Sequence, residues 1–285
     1  MNPALRANLI FSSLLVAGAV ISGQMGLFIV HQIWDVRFQW SFFQYCASIL
    51  TDEPAAHNFI KILFNLVILY TVGKIIWRVY NQICLTRKWL KVFAGQKHVK
   101  LTKQLNSKYR KWGTEFIVVK DEKFIALTLG LVRPRIVVST GTLSMFSNHE
   151  VEAVLFHEWY HCQQRDPLQL FLLTLILDGM GYIPAAKAAM RDFKTLKELL
   201  ADSFAIRQMG TEYYLGNVLL KFSNAGQMQQ STTAVYFAEH AINYRIMQVL
   251  EPTKRVHIPK SNFKPLLIVV SLIVLMSSII LGGCS

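Results

Sequence analysis

The sequence contains few charged residues. Asp, Glu, Lys and Arg make up only 16% of its 285 residues, whereas soluble globular domains average about 25%. Hydrophobic residues make up 53% of the chain, and the mean hydropathy is +0.33. This composition argues against a soluble globular protein and predicts a membrane protein.

Cysteine is scarce as well. The four cysteines, Cys46, Cys84, Cys162 and Cys284, include no C-x-x-C pair, which excludes a zinc ribbon and a disulfide framework. Cys46 and Cys284 would both face outward in the topology given below, so a disulfide between them stays open. The sequence also lacks internal repeats and low-complexity linkers, so a repeat architecture is not expected.

Long apolar stretches are present. Crossing the hydrocarbon core of a bilayer takes about 20 apolar residues, and stretches 9–33, 59–79 and 266–283 approach that length with few charges. Residues 81–152 hold 13 lysines and arginines against five acidic residues, whereas residues 34–58 hold one arginine against three acidic residues. Residues 81–152 are therefore predicted to be cytoplasmic and residues 34–58 to lie outside.

The net charge of +13 would also suit a nucleic-acid-binding protein. Cytoplasmic loops of membrane proteins are routinely basic, however, and such loops are attracted to anionic lipid. We therefore expect the lipid bilayer as the partner of this charge, and no direct binding of nucleic acid.

A metal-binding motif lies in the middle of the chain. Residues 157–161 read H-E-x-x-H, within a predicted helix at 148–166. Side chains four residues apart share a helix face, so His157 and His161 can bind one zinc ion while Glu158 acts as a base towards its water. This combination is typical of a zinc peptidase.

Three short runs rich in Ile, Val, Phe and Thr precede the motif helix, at 115–119, 124–131 and 135–139. They predict three strands of a small sheet. Thr140 to Thr142 would turn the chain towards the motif helix, for which Ser147 or Asn148 would be the N-cap.

A catalytic zinc ion usually has three protein ligands, and Glu198 is the predicted third. Residues 194–210 predict a helix on which Asp202 lies one turn after Glu198. Asp202 would then accept the second N–H of a liganding histidine and fix its tautomer. Alternatively, both acids belong to a solvated helix face and offset Lys194 and Lys197.

The apolar stretch 168–186 separates His161 from Glu198. If it crossed the bilayer, the two side chains would lie on opposite sides and could not bind one ion. It contains Asp178, two glycines and Pro184, a composition that favours a membrane-inserted or re-entrant segment returning to the cytoplasmic side. Asp178 would line the approach to the site or cap a helix break.

Further motifs surround H-E-x-x-H. They are GLVRPRIVVSTGTL at 130–143, EVEAVLFHEWYH at 150–161, QRD at 164–166 and ELLAD at 198–202. Together they resemble the integral-membrane metallopeptidases of the beta-lactam sensor-transducer (Bla/Mec regulator) family. A looser similarity extends to the CAAX prenyl protease and heat-shock membrane protease family, which shares H-E-x-x-H with E-x-x-x-D.

This resemblance implies a zinc metalloendopeptidase with one Zn²⁺ ion. His157, His161 and Glu198 would be the zinc ligands, Glu158 the general base, and Asp202 the partner of a liganding histidine.

The resemblance also implies residues that contact the substrate. Ala126, Leu127 and Thr128 resemble the edge strand on which such peptidases lay the substrate as an added strand. Arg245 and Ile246, followed by Leu250, resemble a late Arg-Ile-x-x-Leu element, although three residues rather than two separate Ile246 from Leu250 here. By this resemblance Arg245 would steady an acid of the site or the developing oxyanion. An ordinary exposed arginine is the alternative.

The predicted fold class is an α-helical integral membrane protein with a small α+β metallopeptidase domain of the gluzincin type. Residues 1–80 would form a membrane region with two transmembrane helices, and 81–264 a cytoplasmic zinc metallopeptidase domain that includes 168–186. Residues 265–285 would form a C-terminal transmembrane helix. The protein would be a multi-pass protein of the bacterial inner (cytoplasmic) membrane, with its active site on the cytoplasmic side.

The expected function is hydrolysis of a cytoplasmic or membrane-proximal protein, such as a transcriptional repressor in a signalling pathway. The alternative is a non-catalytic membrane signal transducer that retains the peptidase fold, which the intact Glu158 disfavours. The best-known family members continue into an extracellular drug-binding domain, whereas this sequence stops at Ser285. The stimulus therefore stays open. A homodimer is a separate possibility that the sequence leaves open.

Overall fold

The structure is a computed structural model that describes residues 2–34, 54–179, 184–226, 235–250 and Ser271. Its described part is mostly helical, with one small sheet. The elements in chain order are α1 (Pro3–Trp34), α2 (Pro54–Gly95), α3 (Val99–Lys108), a 3-10 turn (Arg110–Trp112), β1 (Phe116–Val119), β2 (Ala126–Leu129), β3 (Arg135–Ser139), α4 (Thr140–Met145), α5 (Asn148–Gln164), α6 (Asp166–Gly179), α7 (Pro184–Met209), α8 (Tyr213–Gly226) and α9 (Val235–Leu250).

The chain divides into two compact units. The first unit comprises Met1–Asn8, Gln82–Phe171 and Arg191–Lys260, and the second comprises Leu9–Asn81, Leu172–Met190 and Ser261–Ser285. Each is described by itself below.

The second unit holds most of the apolar helix sequence. Two helical segments, Pro3–Trp34 and Lys61–Gly95, are long and apolar enough to cross a membrane by length and composition. The predicted spans 9–33 and 59–79 fall on α1 and α2, whereas the predicted span 266–283 lies outside the described residues apart from Ser271.

Close packing joins helices within the second unit. Gly18 of α1 lies against Ile176 of α6, where an added Cβ would come within 2.8 Å of the Ile176 side chain. The Arg78 guanidinium forms two hydrogen bonds with the Asp178 carboxylate, at 2.6 Å and 3.0 Å. Asp178 thus has the charged partner that an acid in an apolar segment requires.

The first unit contains the predicted small sheet, with the strand order β1-β3-β2. β1 pairs with β3 in parallel, and β2 pairs with β3 antiparallel. The sequence places β3 correctly at 135–139, and the predicted runs 115–119 and 124–131 shorten to β1 and β2. β2 therefore lies at an edge of the sheet in the described part of the chain.

The sheet packs against the motif helix because both contribute apolar side chains to one core. Phe116, Val118 and Ile136 of the sheet cluster with Val154 and Leu155 of α5. Burying such side chains stabilises the fold by about 25 cal/mol per Å² of apolar surface. The sheet and α5 are therefore held together at the place where the H-E-x-x-H motif lies.

One expectation about a helix end is wrong. The motif helix does not reach residue 166 but ends at Gln164, because Arg165 adopts a left-handed conformation with φ 51°. Asp166 instead starts α6. Thr140 to Thr142, predicted to turn the chain towards the motif helix, begin the short helix α4, whose N-cap Ser139 accepts a hydrogen bond from the Thr142 N–H.

The N-terminus of α5 follows the prediction. Ser147 is its N-cap, and the side chains of Ser147 and Glu150 each accept a hydrogen bond from the backbone N–H of the other. This capping box satisfies two of the free N–H groups at the helix start. The cap fixes where α5 begins and hence which face carries His157 and His161.

Candidate metal centre

His157 and His161 lie one turn apart on α5, and Glu198 reaches them from α7. The two imidazole Nε2 atoms are 3.2 Å apart. A carboxylate oxygen of Glu198 lies 3.5 Å from Nε2 of His157, and the other lies 3.6 Å from Nε2 of His161. The chain between His161 and Glu198 therefore turns back far enough for these side chains to meet, as a shared ion requires.

These donors are close enough together to bind one metal ion. The two imidazole nitrogens are 3.2 Å apart, and each has a different oxygen of the Glu198 carboxylate within 3.6 Å. One ligand atom from each residue can be chosen so that all lie within 4.8 Å of one another. Two imidazoles and one carboxylate are also a ligand set that zinc accepts. These three are the candidate metal-binding group among the described residues.

A cavity of about 480 Å³ opens in front of the three donors. Glu158, Thr128 and Leu170 belong to its lining, and most of the remaining lining is apolar. Ala126 and Leu127 of the edge strand line it too. The cavity therefore places the Glu158 carboxylate, the metal donors and the β2 edge around one space.

Thr128 orients Glu158. Its hydroxyl lies 2.8 Å from Oε2 and 3.0 Å from the backbone carbonyl oxygen of Glu158. The sequence predicts Thr128 as a substrate contact, whereas the structure directs its side chain to the carboxylate. The sheet edge and the predicted base are therefore in direct contact.

Asp202 holds His157 from the side opposite to the metal position. Its Oδ1 lies 2.8 Å from Nδ1 of His157, although off the line of an ideal ring N–H hydrogen bond. The Asp202 side chain is fully buried. Burial raises the pKa of Asp202, but the Arg245 charge and the His157 contact hold it below its usual range. Asp202 thus stays anionic and orients His157 with Nε2 towards Glu198.

Arg245, from α9, completes this arrangement. Its guanidinium donates two hydrogen bonds to Asp202, at 2.8 Å and 2.9 Å, and lies 3.0 Å from Oε2 of Glu198. Its side chain is only 19% exposed, so the alternative of an ordinary exposed arginine is wrong. Arg245 therefore neutralises two acids of the site at once, the buried Asp202 and the partly exposed Glu198.

The buried charges shift the pKa values of the donors. Burial and Arg245 lower the pKa of His157, but Asp202 and Glu198 raise it further, to about 10. Burial raises the pKa of Glu198, whereas His157 and Arg245 bring it well below its usual range. In the metal-free protein His157 therefore carries a proton, which a metal ion has to displace in order to bind.

Sequence reasoning missed two buried residues beside His161. Oδ2 of Asp166 lies 2.8 Å from Nδ1 of His161, and Oδ1 of Asp166 lies 2.7 Å from Nζ of Lys197. Asp166 belongs to the QRD motif at 164–166, but the sequence pattern gives it no role. Lys197 reads as a surface charge next to Glu198, and only its burial distinguishes it.

Comparisons with known proteins relate the chain to a family of peptidases. The family model described as BlaR1 peptidase M56 matches residues 37–249, which include all the site residues named above. The Regulatory protein BlaR1 of Bacillus licheniformis is 31% identical over 121 residues, covering 42% of this chain and 20% of that protein. The matched part thus spans about a fifth of the length of that relative.

Proposed function

Because the chain belongs to the BlaR1 peptidase M56 family, we propose that it is a membrane-embedded zinc metalloendopeptidase of the gluzincin type. The observation that carries this proposal is the close grouping of the ligand atoms of His157, His161 and Glu198 beside a cavity that Glu158 also lines. A family peptidase with these donors has what peptide hydrolysis requires: a metal site, a base and room for a substrate.

The ligands of the zinc ion are His157, His161 and Glu198. A zinc ion bound to them supplies a Lewis acid that polarises the scissile carbonyl and lowers the pKa of a water molecule to about 7. The Glu158 carboxylate, which lines the same cavity, would act as the general base: it would accept a proton from the attacking water and give it to the leaving amine. Thr128 keeps this carboxylate turned towards the cavity, and Asp202 and Arg245 keep His157 and Glu198 in place.

The substrate binds along β2. In the described part of the chain this strand pairs with β3 on one side only, and Ala126 and Leu127 line the cavity. An unpaired strand edge can bind an extended peptide as an added strand. Such a peptide would lie beside the Glu158 carboxylate, where the bond to be cleaved has to be.

The membrane arrangement follows from the sequence. Residues 1–80 form the membrane region with two transmembrane helices, 81–264 the cytoplasmic peptidase domain, and 265–285 a C-terminal transmembrane helix. Stretch 168–186 enters the membrane and returns. The protein is then a multi-pass protein of the bacterial inner membrane with its site facing the cytoplasm, and the basic surface of residues 81–152 supports that side.

The substrate we propose is a cytoplasmic or membrane-proximal protein, in particular a transcriptional repressor. Its support is the name of the relative, a regulatory protein. A non-catalytic signal transducer with the same fold is the second candidate. Glu158 favours the enzyme, because a protein that only binds partners has no chemical need for a carboxylate beside the metal donors.

The proposal is tested by measuring zinc content and the cleavage of a candidate repressor. The two proteins compared are the parent and Glu158→Gln, both purified in detergent. The parent is expected to hold one zinc ion and to cleave. Glu158→Gln is expected to keep the zinc and to cleave about 10² to 10⁴-fold more slowly. If both proteins cleaved equally well, the role proposed for Glu158 would be wrong. If neither protein held zinc, the non-catalytic signal transducer would be the function instead.

A further inference from the structure

Lys197 is a buried cation of the first unit with no place in the proposed chemistry. Its side chain is 5% exposed, and that of its partner Asp166 is 2% exposed. Lysine is almost never buried unless it is paired, and the Nζ of Lys197 lies 2.7 Å from Oδ1 of Asp166. The ammonium also lies over the ring of Phe193, 5.4 Å from the centroid. Its position is therefore fixed on two sides.

Asp166 connects this lysine to a metal donor. One carboxylate oxygen faces Lys197, and the other lies 2.8 Å from Nδ1 of His161. The contact with Lys197 at Oδ1 is an ion pair that is not aligned as a hydrogen bond, and it leaves Oδ2 for His161. A carboxylate that accepts the Nδ1–H of a histidine leaves Nε2 free to bind a metal and fixes the plane of the ring.

We propose that Lys197 is a positioning residue for His161 and acts on it through Asp166. The proposal rests on the function proposed above, in which His161 is a zinc ligand. Lys197 directly precedes Glu198 on α7, so one segment of α7 supplies a zinc ligand and fixes the partner of another. His157 has a comparable arrangement, in which Arg245 pairs with Asp202 and Asp202 contacts His157.

A merely structural role for Lys197 makes a different prediction. If its ammonium only offsets the buried charge of Asp166, its loss costs stability but leaves zinc affinity at the value of the parent. If it acts through Asp166, its loss weakens zinc binding as long as Asp166 is present. Once Asp166 is replaced, the further loss of Lys197 has no additional effect on the zinc site.

The test uses the full chain in detergent, with Zn²⁺ affinity measured by competition with a chromophoric chelator and the site geometry by Co²⁺ absorption. The variants are Lys197→Met, Asp166→Asn and the double variant. Lys194→Met is the matched control, since Lys194 lies on the same helix with an exposed side chain. Circular dichroism of the metal-free proteins checks folding.

Asp166→Asn is expected to weaken zinc binding about 10 to 100-fold, the range for partners of metal-binding histidines. Lys197→Met is expected to weaken it about 10-fold and to change the Co²⁺ spectrum, whereas Lys194→Met matches the parent. The double variant is expected to bind within about twofold of Asp166→Asn. Zinc affinity of Lys197→Met equal to that of the parent, or losses that multiply in the double variant, would overturn the proposal.

Two further outcomes also bear on the role of Lys197. If Lys197→Met does not fold, the double variant still decides, because it leaves neither a buried carboxylate nor a buried ammonium unpaired. It is compared with Asp166→Asn, in which only the ammonium of Lys197 loses its partner, and a double variant much weaker than Asp166→Asn contradicts the proposal. If the parent itself binds no zinc, the proposed function fails and this proposal fails with it. If the parent binds zinc and only the coupling is missing, the proposed function stands.

Discussion

His157 shows how single residues are tuned in this centre. Burial disfavours its charged form, as does Arg245, yet Asp202 and Glu198 outweigh both and raise its pKa from 6.5 to about 10. In the metal-free protein the proton on His157 therefore stabilises the fold fully below pH 6.5. That stabilisation is lost as the pH rises through about 10.

Zinc affinity should depend steeply on pH for the same reason. Because zinc displaces the proton from His157, the apparent dissociation constant is expected to fall about tenfold per pH unit between about pH 7 and 9. Glu198 adds nothing to this slope, since its lowered pKa keeps it ionised throughout. Chelator competition at several pH values measures the slope. A constant that does not change over this interval would show that His157 carries no proton to displace.

Thr128 offers a second test at the same scale. Thr128→Val keeps the shape of the side chain but removes the hydroxyl that lies 2.8 Å from Oε2 of Glu158. A hydrogen bond to a charged group contributes about 1.5–3 kcal/mol, so kcat for peptide cleavage is expected to fall about 10-fold or more. Zinc affinity should remain that of the parent. Loss of zinc together with activity would instead mean that Thr128 supports the metal site.

Among the elements, α4 decides how the sheet is joined to the motif helix. This short helix follows β3 directly and leads into the cap of α5. Gly141 lies in its first turn, where its backbone N–H donates to the carbonyl oxygen of Asp121 at 2.7 Å. A Cβ at Gly141 would collide with the backbone carbonyl of Glu122. The close approach of these two backbones thus requires glycine.

Gly141→Ala is therefore expected to destabilise the protein. The collision is with backbone, which cannot move aside as a flexible side chain could, and overpacking of this kind costs about 1–3 kcal/mol. Gly95→Ala is the matched control, since nothing lies within 4 Å of a Cβ at Gly95. Thermal unfolding followed by circular dichroism should show a lower midpoint for Gly141→Ala alone. Equal midpoints would mean that the loop before β2 can shift at no cost.

At the scale of the whole molecule, the apolar stretch 168–186 lies in the chain between His161 and Glu198, two residues of the candidate metal centre. The structure describes residues 168–179 and 184–186 of this stretch, which belong to α6 (to Gly179) and α7 (from Pro184). Within the second unit, Asp178 near the end of α6 pairs with Arg78 of α2. A charge in an apolar setting is costly without such a partner, and this ion pair supports our proposal that the stretch re-enters the membrane instead of crossing it.

Sidedness reporters test this arrangement in cells. Tags are inserted at Lys91, after the second predicted span, and at Ala188, after stretch 168–186. Both are expected to report the cytoplasmic side. A tag in the predicted outer loop, 34–58, is the control for the opposite side. Opposite signals from Lys91 and Ala188 would contradict a re-entrant 168–186 and the use of Glu198 as a ligand of the same ion as His161.

Much of the fold and part of the centre could be predicted from local patterns. The strand β3, the N-cap Ser147 and the pairing of His157 with His161 depend on residues within a few positions of each other, so propensity and helix geometry suffice. The end of α5 at Gln164 was not predictable, because it depends on Arg165 adopting a left-handed conformation that nothing in the sequence requires.

The sequence by itself determined the chemistry of this protein: apolar stretches set by bilayer thickness, and two histidines and a glutamate whose spacing on one helix is fixed by 3.6 residues per turn. Only the tertiary structure decided the surroundings of those side chains. Thr128 reaches Glu158 across 30 residues and Arg245 reaches Asp202 across 43, and Lys197 is distinguished from Lys194 only by its burial. The physical reason is that a contact between distant residues depends on how helices and sheet pack, which a local pattern does not encode.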